Sequence, residues 1–170
     1  MTPRDTGEFV FEQRLGALGE RVRTCRGSRE WSQQELASRA RIGRPKISEI
    51  EGGKHNLTLE VLWRLADAFQ VHWADLIDDR TTLPVHRVSV PFDKQLKQFG
   101  TRVYQARVLQ RLSQRALTGR TRIGRSAVSE IEEGRQNITL ETLFRLANGL
   151  GVHWADLIDD RRTTPPQPAS

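Results

Sequence analysis

Apolar residues recur at intervals of three and four along several short segments, with polar or charged residues between them. The clearest segment carries Leu59, Leu62 and Leu65 at such intervals, which places them on one face of an α-helix. Five segments of this kind lie between residues 13 and 80, and five more between residues 94 and 161. No obvious strand pattern occurs among them. The chain is therefore predicted to be all-α, with two five-helix domains.

The two sets of helices are copies of each other. A comparison of residues 41–80 with residues 122–161, at an offset of 81, gives 27 identical residues out of 40. Such a match indicates an internal duplication. Because only two copies exist, each must bury its own core. The repeat predicts two domains, at 13–80 and 94–161.

Three further segments complete the chain: an N-terminal arm, a linker and a proline-rich tail, at residues 1–12, 81–93 and 162–170. The arm is polar and is expected to be poorly ordered, with the first helix running from about Gln13 to Arg26. Pro84 and Pro91 argue against a helix in the linker, which is predicted to be extended. The tail is expected to be disordered or polyproline-like.

Two short helices separated by about three residues stand at the centre of each copy. In the first copy, Ser32 and Glu35 form a predicted capping box at the start of the earlier helix. Gly43 is predicted to cap the later one. The second copy has Ala116 in place of the capping glutamate and Gly119 inside the earlier helix, which predicts a weaker helix. Two short helices joined this tightly indicate a helix-turn-helix.

The combined pattern of these segments resembles a known family. Ser-Gln-x-x-Leu-Ala, then Ile-Ser-x-Ile-Glu-x-Gly, then Thr-Leu-x-x-Leu-x-x-Leu-Ala is similar to the phage-repressor-like (XRE-type) helix-turn-helix family, over residues 13–80 and 94–161. The resemblance implies two lambda-repressor-like domains that bind DNA. It also implies that the later helix of each motif is the recognition helix.

The exposed N-terminal half of a recognition helix reaches base edges in the major groove. Eight residues are predicted to contact bases there: Arg44, Pro45, Ser48, Glu49, Arg125, Ser126, Ser129 and Glu130. Arginine reads guanine with two hydrogen bonds, and glutamate accepts one from cytosine. The alternative, a merely solvated helix face, is less favoured because the set recurs within the same motif.

The resemblance implies two further sets of residues. Six residues are expected from it to contact phosphates: Gln33, Lys54, Asn56, Gln114, Arg135 and Asn137. Lys46, which differs between the copies, is a further candidate, with the alternative that it contacts nothing. Two ion pairs, Arg26 with Glu51 and Arg107 with Glu132, match a pair that joins the first helix to the recognition helix in the family. Their implied role is structural.

Trp73 and Trp154 lie in two identical His-Trp-Ala-Asp-Leu-Ile-Asp-Asp segments. Leucine and isoleucine already supply the inward face there, so the tryptophans are a candidate interface if their rings are partly exposed. The other interpretation, a ring folded over its own domain, stays open at this stage.

Composition narrows the function classes. The net charge is +6, which favours a polyanionic partner. Cys25 is the one cysteine, so no intramolecular disulfide is expected, and the four histidines are not spaced as metal ligands. No apolar run reaches membrane-spanning length, and the N-terminus lacks a signal-peptide pattern. A cytoplasmic protein with no membrane contact, no metal, no cofactor and no enzymatic activity is expected.

These observations predict a sequence-specific transcriptional regulator, a repressor or autoregulator, that binds double-stranded DNA through two recognition helices in successive major grooves. The working unit is either a monomer, in which the two domains act as a pseudo-dimer, or a homodimer with four reading heads. The alternative function is a protein-interaction module, such as an antitoxin or adaptor, with a protein partner and secondary DNA binding.

Overall fold

The structure, a computed structural model, describes residues 3–78, 80 and 90–161, with side chains placed from residue 9 onward. The predictions for residues 81–89 of the linker and for the tail lie outside the described residues. The chain divides into two compact units, Met1–Ser89 and Val90–Ser170.

Within the described residues, each unit has five α-helices. In the first unit they are α1 (Pro3–Gly27), α2 (Gln33–Ala40), α3 (Arg44–Glu51), α4 (Leu59–Phe69) and α5 (Trp73–Ile77). In the second they are α6 (Phe92–Leu109), α7 (Gln114–Thr121), α8 (Arg125–Glu132), α9 (Leu140–Leu150) and α10 (Trp154–Ile158). The predicted all-α architecture of two five-helix repeats, consistent with lambda-repressor-like domains, is confirmed.

Two helix starts differ from the prediction. Helix α1 begins at Pro3 instead of Gln13, so residues 3–12 are helical. Proline suits the first helical position, where its missing N–H has no helical partner. Helix α6 begins at Phe92, inside the predicted linker, and Pro91 precedes it as the N-cap. Pro91, one of the two prolines that argued against a helix in the linker, therefore marks where a helix begins.

The cores consist of the apolar positions that the periodicity predicts. Side chains with no more than 1% exposure include Val22, Leu36, Ile47 and Leu62 in the first unit, and Phe99, Val103, Leu117, Val128 and Leu143 in the second. Cys25 is also buried, and this burial raises the pKa of its thiol against the opposing effect of Arg29 and Arg21. It therefore serves as a small apolar residue of the core.

Candidate nucleic-acid interface

The turn between α2 and α3 is fixed by local hydrogen bonds. The Glu35 N–H donates to Ser32 Oγ at 3.1 Å, and the Ser32 N–H donates to Glu35 Oε2 at 2.7 Å, which completes the predicted capping box. Helix α2 ends at Arg41 in the left-handed conformation (φ 55°). Extended Gly43 then caps α3, with Pro45 in its first turn.

The second unit forms the same turn, but the N-terminus of α7 has only one of the two hydrogen bonds of a capping box. The Ala116 N–H donates to Ser113 Oγ at 3.1 Å, but alanine cannot return the second bond of a capping box. Arg122 is left-handed at φ 56°. The Arg145 guanidinium donates to the Arg122 carbonyl at 3.0 Å, as Arg64 does to the Arg41 carbonyl at 3.1 Å. An arginine of the following helix thus supports each turn.

Each recognition helix presents one buried and one exposed face. Ile47 and Ile50 are buried on α3, and Val128 and Ile131 on α8. Seven of the eight predicted base-contacting residues are exposed: Arg44, Pro45, Ser48, Glu49, Arg125, Ser126 and Glu130. Ser129 is half-buried, as is Lys46. The residues predicted to read bases therefore share the outward face of each helix.

The C-terminal end of α3 lies directly against α1. A Cβ atom on Gly19 would lie 2.5 Å from the Ile50 carbonyl oxygen, so only glycine permits this approach. Gly100 of α6 occupies the same position against the Ile131 carbonyl. After α3, Gly53 turns the chain with a positive φ of 67°. These contacts fix where the recognition helix ends.

An ion pair ties α1 to the same end of α3. Arg26 Nε donates to Glu51 Oε1 at 2.6 Å, and Arg26 Nη2 donates to Oε2 at 3.1 Å. Arg26 Nη1 also donates to the Trp31 carbonyl at 2.6 Å, just before α2. One guanidinium thus holds both helices of the motif against α1.

The second unit repeats this arrangement. Arg107 Nε donates to Glu132 Oε1 at 2.5 Å, Nη2 donates to Oε2 at 2.9 Å, and Nη1 donates to the Leu112 carbonyl at 2.8 Å. The structure therefore brings together both pairs that the resemblance implied.

The ion pair of the first unit, Arg26 with Glu51, shifts the pKa values of both residues. Burial alone would raise the pKa of Glu51, but hydrogen bonds from Arg26 and Gln33 and the nearby positive charges outweigh it and hold the pKa below its usual value. The hydrogen bond to Glu51 raises the pKa of Arg26. The carboxylate therefore stays ionised at neutral pH.

The two glutamines expected at phosphates take part in these networks. Gln33 Nε2 donates to Glu51 Oε2 at 2.9 Å, and Gln114 Nε2 donates to Glu132 Oε2 at 3.0 Å. Each amide nitrogen carries two hydrogens, so one stays available for an acceptor outside the domain. Both residues stand at the first position of their helix, where backbone N–H groups point outward.

The other predicted phosphate-contacting residues follow the recognition helices. Lys54 and Asn56 are exposed after α3, and Arg135 and Asn137 are exposed after α8. Arg135 Nη2 lies 2.6 Å from Glu133 Oε2, an acidic neighbour that the sequence reasoning missed.

A second missed residue is His55, whose Nδ1 lies 3.3 Å from Glu49 Oε2. Both residues stand at positions where the sequences of the two copies differ, and that difference could have identified them. At the 81-residue offset, Glu133 stands opposite Gly52, and His55 stands opposite Gln136. The two candidate interfaces therefore differ just after the recognition helices as well as within them.

The tryptophans are not at the surface. Trp73 is 2% exposed and Trp154 is 3% exposed. The Trp154 ring packs edge-on against Phe144 of the same unit, with ring centroids 6.2 Å apart. Of the two interpretations left open by the sequence, the structure supports a ring folded over its own domain, because all five residues of α5 are buried and this short helix has no exposed face. Because both rings are buried, they no longer support an interface at Trp73 and Trp154.

Two family models match the sequence of this chain. A family model described as "Helix-turn-helix domain" matches residues 17–79, and another described as "Helix-turn-helix" matches residues 103–157. Together they cover more than half of the chain. The chain belongs to the helix-turn-helix family of DNA-binding proteins and carries two XRE-type domains in tandem. This family consists of non-enzymatic regulators, as the sequence predicted.

Among solved structures, the chain is similar to the restriction-modification controller protein C.AhdI from Aeromonas hydrophila. The two share 31% sequence identity over 38% of this chain and 97% of that chain, with a TM-score of 0.37. No curated protein matches the sequence. Within the described residues, none of the helices combines the length and the apolar character that crossing a membrane requires.

Proposed function

We propose that this protein is a sequence-specific regulator of transcription, a repressor or autoregulator, that inserts α3 and α8 into the major grooves of double-stranded DNA. One observation carries the proposal. Both units present the same arginine, serine and glutamate on the exposed face of a helix whose other face and C-terminal end are fixed. A fixed helix with a repeated polar face suits base recognition.

The exposed face offers the chemistry that base reading needs. Arg44 and Arg125 stand at the first position of their helices and can each donate two hydrogen bonds to guanine. Glu49 and Glu130 can accept a hydrogen bond from the amino group of cytosine. Because these residues match between the units, related half-sites are expected.

The surrounding residues offer a phosphate footprint. Lys54, Asn56, Arg135 and Asn137 follow the recognition helices, and Lys46 lies on α3. Gln33 and Gln114 add donors at the N-termini of α2 and α7. Such contacts set affinity and register without selecting a sequence.

In the proposed mode of action, both units occupy one operator, as a monomer or across a symmetric homodimer. Repression then follows from occupancy, because a protein bound over a promoter blocks other proteins from that DNA. The alternative of a protein-interaction module would use the segments around Trp73 and Trp154 and the linker, and the burial of both rings removes one of the observations that favoured it.

Selection of bound duplexes from a random-sequence pool tests the proposal. The full chain should enrich a sequence with two related half-sites. The Arg44→Ala/Arg125→Ala variant should retain its fold, because both side chains are exposed, and should lose that enrichment. A wild-type chain that enriches no sequence over the starting pool would contradict sequence-specific binding.

A further inference from the structure

The second unit contains an acidic side chain that contacts two of its own proposed DNA-binding residues. Glu133 Oε2 lies 2.6 Å from Arg135 Nη2, and Ser129 Oγ donates a hydrogen bond to Glu133 Oε1 at 3.0 Å. Ser129 is a proposed base contact, and Arg135 is a proposed phosphate contact. A single carboxylate thus engages one member of each set.

The first unit has no carboxylate at this point. Gly52 stands at the matching position, between Ser48 and Lys54, which match Ser129 and Arg135. Within the described parts of the chain, neither Ser48 nor Lys54 has an acidic partner. The backbone itself is alike in both units, with φ of −82° at Gly52 and at Glu133. The difference is therefore confined to the side chain.

We propose that Glu133 weakens the contacts of the second unit with DNA, through Arg135 and Ser129, and makes the two units bind their half-sites with unequal affinity. This inference rests on the proposed function. A phosphate that approaches Arg135 must compete with Glu133 for the guanidinium, and it meets the negative charge of that carboxylate. The Ser129 hydroxyl must leave Glu133 before it can donate to DNA.

The expected consequence is a ranking of the two half-sites. The first unit binds phosphates without this competition and supplies more of the sequence-independent affinity. In the second unit Glu133 engages a member of each set of contacts, so this unit supplies less of the total affinity. Loss of the half-site read by α8 should therefore cost less affinity than loss of the half-site read by α3.

The size of the effect is modest because the pair is exposed. Removal of one unit charge close to a phosphate in water changes affinity about fivefold. Removal of the Glu133 charge should also steepen the dependence of DNA affinity on salt, since an unpaired Arg135 displaces a counterion more fully. The effect should depend on Arg135 and should shrink in an Arg135→Ala background.

The test uses the full chain and the duplex that wild-type protein enriches from a random pool, with fluorescence anisotropy at several salt concentrations. Glu133→Gln removes the charge and keeps a hydrogen-bond acceptor for Ser129. Glu133→Gly removes both the charge and the acceptor and places in the second unit the residue that the first unit has at Gly52. Gly52→Glu is the reciprocal change. Asp67→Asn makes the same change in net charge on α4, outside the proposed interface.

Glu133→Gln should tighten binding about fivefold, and Gly52→Glu should weaken it by a similar factor. Asp67→Asn should have a smaller effect than Glu133→Gln. Equal affinities of Glu133→Gln and wild type, with an unchanged melting temperature, would overturn the role of Glu133 and leave the proposed function standing. If wild-type protein enriches no duplex, the proposed function fails and this inference fails with it.

Discussion

Arg26 and Glu51 lie 25 residues apart in sequence and meet in a bidentate ion pair, with Arg26 Nε 2.6 Å from Glu51 Oε1. The Glu51 side chain is only 2% exposed, and that of Arg26 is 19% exposed. Arg26 also donates to the Trp31 carbonyl, and Gln33 donates to Glu51. The pair therefore sets the recognition helix relative to α1 and α2.

Loss of either partner should destabilise the first unit. Arg26→Ala leaves a buried carboxylate without its main counter-charge, and Glu51→Ala leaves three donors without an acceptor. Each should lower the free energy of unfolding by up to about 3–5 kcal/mol, with a smaller change in sequence preference. Urea unfolding, followed by tryptophan fluorescence, measures this loss, since Trp31, Trp63 and Trp73 all lie in the first unit.

An exposed ion pair provides the matched control. Glu20 pairs with Arg23 at 2.7 Å, with side chains 67% and 51% exposed. Glu20→Ala should change stability by less than about 1 kcal/mol. If Arg26→Ala and Glu51→Ala have the wild-type free energy of unfolding in urea, the pair contributes nothing to the fold.

The same pair predicts a pH dependence of stability. The pKa of Glu51 is lower in the folded chain than in the unfolded chain, where it is about 4.3. Its contribution is therefore fully present above that pH and is lost as the pH falls through the folded pKa. Wild-type protein should lose stability on acidification below about pH 4 more steeply than Glu51→Gln does. Parallel stability–pH curves for the two proteins would show that Glu51 has no part in acid unfolding.

Two glycines of the second unit should respond to alanine with opposite signs. At Gly100, an added Cβ would lie 2.7 Å from the Glu132 carbonyl oxygen, so Gly100→Ala should force α6 and α8 apart and cost about 1–3 kcal/mol. At Gly119, nothing lies within 4 Å of an added Cβ, so Gly119→Ala should stabilise α7 by about 0.5–1 kcal/mol. Thermal unfolding by circular dichroism distinguishes them. Equal shifts would refute the close approach at Gly100.

The fold could be predicted from sequence because its signals are local. The capping box at Ser32, the cap at Gly43 and the period of the apolar residues each depend on neighbours within one or two turns. The start of α1 was misplaced because residues 3–12 carry little apolar periodicity, and only Pro3 marked the position. Boundaries of this kind depend on weak local preferences.

The candidate site was only partly predictable because its contacts are tertiary. The burial of Trp73 stayed open because a helix of five residues is too short for a period to separate its faces. The bond from Gln33 to Glu51 depends on how α2 packs on α3, which the residues of either helix alone do not specify. Glu133 is an exposed residue on a helix end, and only its contacts with Ser129 and Arg135 give it significance.

The proposed phosphate contacts predict a measurable salt dependence. Lys54→Ala and Arg135→Ala should weaken binding to all duplexes alike and flatten the dependence of affinity on salt, by about one counterion per lost contact. Lys54→Ala should have the larger effect, because Arg135 is already paired with Glu133. Anisotropy titrations across a salt series measure the slope. An unchanged slope in the double variant would remove both residues from the phosphate footprint.

The last prediction concerns the operator. Because Arg44, Ser48 and Glu49 recur as Arg125, Ser129 and Glu130, the two half-sites should be closely related in sequence. They should be imperfect copies, since the first helix has a proline and a lysine where the second has Ser126 and Ala127. Arg44→Ala and Arg125→Ala should each reduce discrimination at one base of one half-site, by about 1–3 kcal/mol.

Two recognition helices that bind one face of a duplex require half-site centres about one helical turn, or roughly 34 Å, apart. The covalent connection gives the second unit a high effective concentration once the first has bound, so the half-sites should fill cooperatively. An insertion of half a helical turn between them places one half-site on the opposite face and should abolish this gain, while insertion of a full turn should restore part of it. Footprinting of the three duplexes measures the outcome. Equal affinity for all three would show that the units bind independently and would refute paired reading of one operator.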